Sequence, residues 1–359
     1  MSILYILSAL LLLAILIVVH EQGHFWAARW MKIDVREFAV GFGPKLLGWK
    51  SRKYETTFAV RAIPLGGYCS FYGEDDVEGA EKDDPRAFPK QNVWKRLFVI
   101  LMGPMMNFVL AFVLATGFYW ACGIPTATGV DPFIQSVNGA GPAYDAGLKD
   151  GDVILEINGK NMLDGTMETL LNAISDYREG EPAMQITVAR GGETLHLEMT
   201  PAWNPEENRM MVGVTISGRY RVVTEKTTLI GAAGASAELC WRASGLILDA
   251  LKRLVTTGEG FEETSGPVGI VSTVSTEVAA GGFQAFLELL ISISINLGLM
   301  NLLPIPGLDG SRLVFGMIEV VRGKPVPPEK EAMVHMAGMV LLLGLMAVLT
   351  VKDVMNLLR

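Results

Sequence analysis

Cysteine and histidine are scarce in this chain, with 3 and 4 among 359 residues. Cys69, Cys122 and Cys240 lie too far apart for a disulfide framework or a CxxC metal pair. Charge is also sparse, at 19%, and the net charge of −8 leaves no basic face of the kind phosphate binding needs. A nucleic-acid partner is thereby excluded. Apolar residues make up 50% of the chain and cluster into four runs of spanning length. These run from Ile3 to Trp26, Leu97 to Ala121, Phe283 to Leu303 and Val334 to Val351. No Lys or Arg precedes the first run and no small-residue cleavage site follows it, so we expect it to be retained.

Two of the four histidines close that first run, in His20-Glu21-Gln22-Gly23-His24. Histidines at i and i+4 share one helix face, so both imidazoles can reach one Zn²⁺ while the glutamate stands beside the water the metal would activate. A chance HExxH is the alternative, but an ionisable cluster at membrane depth is expensive enough that function is its default explanation.

Basic residues concentrate after the first span, from Arg29 through Lys45, Lys50 and Arg61 to Lys95 and Arg96, which predicts a cytoplasmic loop. Arg312, Arg322, Lys324 and Lys330 agree for the loop between spans three and four, whereas Lys352 and Arg359 oppose it. Both termini and the segment from about Cys122 to Gly282 then face outward. Within the first loop, Tyr54 to Arg61 and Gly66 to Gly73 read as short strands around Ile63-Pro64-Leu65. They are too apolar for a solvated loop, which suggests a re-entrant hairpin beside the metal site. A small sheet on the cytosolic surface is the alternative. Glu74 to Pro89 is acidic and reads as a surface connection.

The outward segment holds a β-rich unit from about Thr126 to Trp203, marked by Gly147-Leu148-Lys149-Asp150-Gly151-Asp152-Val153-Ile154-Leu155-Glu156-Ile157-Asn158-Gly159. A helix from Met167 to Tyr177 and strands Met184 to Ala189 and Thr194 to Met199 follow. This order resembles a bacterial PDZ domain, a fold that binds extended peptides at a sheet edge, though a spacer role stays open. Thr227 to Thr257 reads as an amphipathic helix or helix pair near the outer membrane surface.

A catalytic zinc site usually has three protein ligands. No third histidine follows His24 at the spacing of the extended motifs. His196 sits in a strand of the outward unit, and His335 reads as a packed or interfacial residue. Among carboxylates the outstanding candidate is Asp309, in Asn301-Leu302-Leu303-Pro304-Ile305-Pro306-Gly307-Leu308-Asp309-Gly310. The prolines and glycines break the helix there, and freed backbone can line a polar cavity. Counting from His24 to Arg29 at about 1.5 Å per residue places the metal roughly 5 to 10 Å inside the cytosolic boundary.

Together these motifs resemble the site-2 protease family of intramembrane metalloproteases, in particular its bacterial branch that carries PDZ domains. The resemblance also covers FAVRAIPLGGY from Phe58, VWKRLFVILMGPMMNF from Val93 and SGPVGI from Ser265. It implies that His20, His24 and Asp309 bind Zn²⁺ and that Glu21 is the catalytic acid and base. It further implies hydrolysis of a peptide bond in or near the membrane segment of single-pass proteins, such as an anti-sigma factor or a remnant signal peptide. Asn301 and Gly67 are candidates for holding substrate backbone, with Asn301 alternatively a helix-terminating residue. Asn107 is expected to make an interhelical hydrogen bond. The best-known members hold two tandem PDZ units, whereas one is legible here.

The expected fold is a multi-pass α-helical membrane protein of about four transmembrane helices, with a re-entrant β-hairpin and an extracytoplasmic PDZ domain. The expected domains are a first span with the motif at 1–32, a cytosolic loop with the hairpin at 33–95 and a second span at 96–122. A PDZ unit at 123–205, an interfacial helical region at 206–282, a third span at 283–310, a cytosolic loop at 311–332 and a fourth span at 333–359 complete the chain. The expected setting is a bacterial inner membrane, with the lipid bilayer, membrane-protein substrates and PDZ-bound peptides as partners.

Overall fold

The computed structural model describes residues 3–52, 55–74, 84–139, 141–163, 167–178, 180–205, 209–261 and 264–358. Tyr54 and residues 75–83 of the expected acidic connection lie outside them. The elements run α1 (Ile3–Met31), β1 (Val35–Lys50), β2 (Thr57–Phe71), α2 (Val93–Cys122), β3 (Ile124–Val137), α3 (Pro142–Asp145), β4 (Val153–Ile157), β5 (Lys160–Asn161) and α4 (Met167–Ser175). They continue as β6 (Met184–Arg190), β7 (Glu193–Met199), β8 (Ala202–Asn204), β9 (Arg209–Met211), β10 (Val214–Glu225), α5 (Leu229–Thr257), α6 (Pro267–Leu302), α7 (Asp309–Arg322) and α8 (Pro328–Leu358). They form two compact units, one of residues 1–121 with 228–359 and one of residues 122–227.

In the first unit, four helices among the described residues are long and apolar enough to cross a membrane: Ile3–Met31, Val93–Cys122, Pro267–Leu302 and Glu329–Asn356. The chain is a membrane protein. Its helices are apolar on every side, so each buries one face and leaves another outward, as Ala9, Leu12 and Leu16 are buried in α1 while Leu4, Leu7 and Leu11 are exposed. The buried side of α1 meets Val274 and Leu290 of α6, and Ala111 and Ala115 of α2 meet Ile291 and Ile295. Alanines at these positions let the helix backbones approach closely.

α1 ends where Lys32 takes a left-handed conformation, φ 61°, and Ile33 N–H returns to Ala28 O at 2.8 Å. β1 follows at once and folds with β2 into one sheet. Phe38, Ala39 and Val40 are flanked on one side by Cys69, Tyr68 and Gly67, and on the other by Phe58, Ala59 and Val60. Leu47, Trp49 and Lys50 pair in turn with Val60, Phe58 and Thr57. Gly67–Phe71 is therefore an edge of the sheet. Phe25, Phe38 and Phe58, with ring centroids 5.7 to 5.8 Å apart, pin the sheet to the end of α1.

α6 begins at Pro267, well before the expected start of span three at Phe283. The expected boundary at Gly282 is present as a break within this span: its φ of 60° and ψ of −140° are non-helical, and two helical stretches meet there at a kink. α6 stops at Leu303 because residues before proline disfavour the α conformation, and both Leu303 and Ile305 precede one. The chain then re-enters a helix at Asp309, the first residue of α7.

The second unit is a six-stranded sheet ordered β10-β3-β4-β6-β7, with β5 on β4, and β8 pairs separately with β9. Ile134, Ile154, Ile186 and Val188 fill its core with Leu170 of α4 and Ala143 of α3. The unit does not end near 203–205. β10 pairs with β3 from Val214↔Val137 to Glu225↔Ile124, so the stretch assigned to an interfacial helical region begins as a strand. Backbone groups along β3 need a partner, and β10 supplies it, its start marked by apolar residues alternating from Val212 through Val214 and Ile216. The helix expected from Thr227 is one helix, α5, with Thr228 Oγ1 accepting the Gly231 N–H at 3.2 Å and Gly258 closing it in a left-handed conformation.

Candidate active site

α1 carries His20 and His24 one turn apart, their Nε2 atoms 3.3 Å from each other and their rings edge-on at 83°. Asp309, released from α6 by the proline break, places Oδ2 at 3.0 Å from His20 Nε2 and 3.2 Å from His24 Nε2. Among the described residues these three form the one His/Cys/Asp/Glu group with ligand atoms close enough to share a metal ion. Their side chains are largely buried.

Asp309 Oδ2 is buried and makes no well-formed hydrogen bond in spite of its two close nitrogens. The three ligand atoms lie within 3.0 to 3.3 Å of one another, close enough to meet at a common point. Two imidazole nitrogens and one carboxylate oxygen fit Zn²⁺ and leave a fourth position open.

α2 backs this triangle. His24 Nδ1 lies 2.9 Å from Val99 O, an acceptor, so the Nδ1 proton is held there and Nε2 is free. His20 Nδ1 lies 3.2 Å from the Asn107 side-chain amide, and Ser294 Oγ donates to Asn107 O at 2.8 Å. The expected interhelical bond of Asn107 is present, with a histidine of the cluster as its partner. Gly23 fits against the Met102 carbonyl, and Gly103 lies directly against the His24 ring.

Glu21 lies close to the backbone N–H of Cys69. A Cβ on Gly67 would lie 2.8 Å from Ile17 Cγ2 and 3.4 Å from Glu21 Cγ, so the missing side chain lets the sheet edge lie against α1 beside Glu21. Asn301 is buried in the last turn of α6 and is no member of the donor triangle. His196 bonds Thr187 across β6 and β7, Nδ1 to Oγ1 at 3.0 Å.

His335 is packed on Phe315, and its Nδ1 accepts the N–H of Gly307 at 3.3 Å. It thus holds the loop that presents Asp309. Gly338 of α8 allows the same loop to approach through Pro306. Neither role was legible in the sequence, because both depend on where α8 packs.

The family model for peptidase family M50 matches residues 8–345. A protein of Clostridium acetobutylicum described as a candidate zinc metalloprotease is 33% identical over 356 residues, covering 99% of this chain and 98% of its own. The regulator of sigma-W protease RasP of Bacillus subtilis is 32% identical over 430 residues, covering 98% of each. Among solved structures, the PDZ domain of an SdrC-like protein from Listeria monocytogenes matches 25% of this chain and 90% of its own, at 23% identity and a TM-score of 0.22.

Proposed function

The chain belongs to peptidase family M50, the site-2 protease family of membrane zinc metalloproteases, and from that premise we propose that it hydrolyses a peptide bond in or near the membrane segment of single-pass proteins. His20, His24 and Asp309 hold the zinc, and Glu21 is the acid and base. The observation that carries this reading is the buried triangle of donors with Glu21 on the same helix turn and a strand edge beside it. A Zn²⁺ held there would supply Lewis acidity towards a carbonyl and a water. Glu21 takes the proton of that water and returns it to the leaving amine.

Substrate must reach this site as extended chain, because a helix keeps its carbonyls in its own hydrogen bonds. Gly67–Phe71 is suited to take it as an added strand, with Gly67 giving the backbone room and Asn301 available to bind exposed peptide groups. We read the β1–β2 sheet as a hairpin re-entering the membrane from the cytosolic side of a bacterial inner membrane, and residues 122–227 as an extracytoplasmic PDZ unit able to bind peptide. An anti-sigma factor is one substrate class, in keeping with the regulation of sigma-W in the name of the Bacillus subtilis relative, and remnant signal peptides are another.

Cleavage of a single-pass reporter in proteoliposomes tests the reading. Glu21→Gln should hold as much zinc as the unsubstituted chain and lose cleavage by at least about 10²-fold, the low end of a general-base contribution. Equal cleavage by both proteins at equal zinc content would sink it.

A further inference from the structure

A histidine that offers Nε2 to a metal must carry its proton on Nδ1, and that proton needs an acceptor. His24 has one in Val99 O, at 2.9 Å. For His20, the partner of Nδ1 among the described residues is the Asn107 amide nitrogen, at 3.2 Å. A donor in that place forces the His20 proton onto Nε2, the atom that faces Asp309 Oδ2 at 3.0 Å, and removes the lone pair a ligand requires. The other arm of the amide, Asn107 Oδ1, is buried and meets no donor. The two ends of an amide exchange by a half-turn about Cγ, and the surrounding hydrogen bonds decide which end points where.

We infer that the Asn107 amide is turned so that Oδ1 accepts the Nδ1–H of His20, which makes Asn107 a positioning residue for the metal. Asn107 is fully buried, so its oxygen is shielded from bulk water. α2 then orients both imidazoles, His24 through the Val99 carbonyl and His20 through the Asn107 side chain two turns further on. The Gly103-Pro104-Met105-Met106-Asn107 stretch thereby gains a single rationale. Gly103 makes room for the ring of one histidine, and Asn107 aligns the other.

The inference rests on the proposal that His20 is a zinc ligand, and the experiment separates the two. Zinc release to excess chelator is followed for the full chain in detergent, as the unsubstituted protein and as Asn107→Asp, Asn107→Leu and His20→Ala. Asn107→Leu, close in size but without an acceptor, should release zinc about 10–100-fold faster, the usual consequence of removing an outer-shell partner. Asn107→Asp, which can only accept, should stay within a few-fold of the unsubstituted protein. Histidine ¹⁵N spectra of the unsubstituted zinc-loaded protein should show His20 protonated at Nδ1, and this reading stands alone if a variant fails to fold. Equal release from Asn107→Leu and the unsubstituted chain, faster release from Asn107→Asp to the level of Asn107→Leu, or a His20 protonated at Nε2 overturns the inference. Undiminished zinc binding by His20→Ala would instead overturn the ligand assignment itself.

Discussion

A methyl group on Gly103 would overlap the imidazole of His24, and one on Gly23 would overlap the Met102 carbonyl. The ring of His24 cannot move aside without losing its bond to Val99 O. Gly103→Ala should therefore destabilise the protein by about 1–3 kcal/mol, the usual range for overpacking a filled interior, and lower its zinc content. Thermal unfolding and bound-metal analysis of the purified variant check both effects. A variant that melts earlier but keeps its zinc would show that α1 and α2 shift together and carry His24 with them. His20, Glu21 and His24 were legible as a group because helix periodicity alone places them on adjoining faces. The acceptor on Asn107 was not, because it depends on which turn of α2 faces His20.

At the scale of elements, the helix that begins with Asp309 is tied to the strand edge beside Glu21. Arg312 of α7 pairs with Glu74 Oε1, and Glu74 Oε2 accepts the N–H of Phe71, the last residue of β2, at 3.2 Å. Further along α7, Glu319 pairs with Arg96 at the start of α2. Both pairs are partly buried, which makes them worth more than exposed ones. Arg312→Ala should loosen the end of the Gly67–Phe71 edge while leaving the donor triangle intact. The expected result is a several-fold rise in KM for a membrane reporter with zinc content unchanged, read from steady-state cleavage and metal analysis. A fall in zinc content would mean that the tether holds Asp309 rather than the strand. The long apolar helices were visible as composition, but their ends were less so. Gly282 reads as a boundary and the helix does break there, at φ 60° and ψ −140°, but a further helical stretch from Pro267 precedes it.

For the whole molecule, two separate cores imply two separate responses to acid. In the unit of residues 122–227, Asp152 is fully buried and accepts bonds from Arg190 Nε and Nη2, each at 2.7 Å, and from Lys149 N–H at 2.9 Å. Burial raises its pKa, but the Arg190 and Lys149 bonds outweigh burial and leave it below the ordinary aspartate value. A carboxyl lowered on folding adds stability that is complete above its unfolded value, near 4, and is lost as the pH falls through the folded value. Hydrogen exchange in detergent should show β4 and β6 losing protection as the pH drops below about 4. In Asp152→Asn the acid-dependent part of that loss should disappear. An unchanged acid slope in the variant would assign the effect to other carboxylates.

By itself the sequence determined that the chain spans a membrane, that a metal-ligand pattern stands at the end of its first span, and that Asp309 is the outstanding third donor. Each follows from local facts: the length of apolar runs, the helical repeat, and the refusal of residues before proline to stay helical. Only the tertiary structure decided that Oδ2 of Asp309 lies 3.0 and 3.2 Å from the two imidazoles, that Asn107 and Val99 stand behind them, that Gly67 lies against Glu21, and that β10 completes the sheet begun by β3. These are pairings between residues far apart in the chain. They are set by which helix faces and strand edges can be buried together, and no local pattern carries that information.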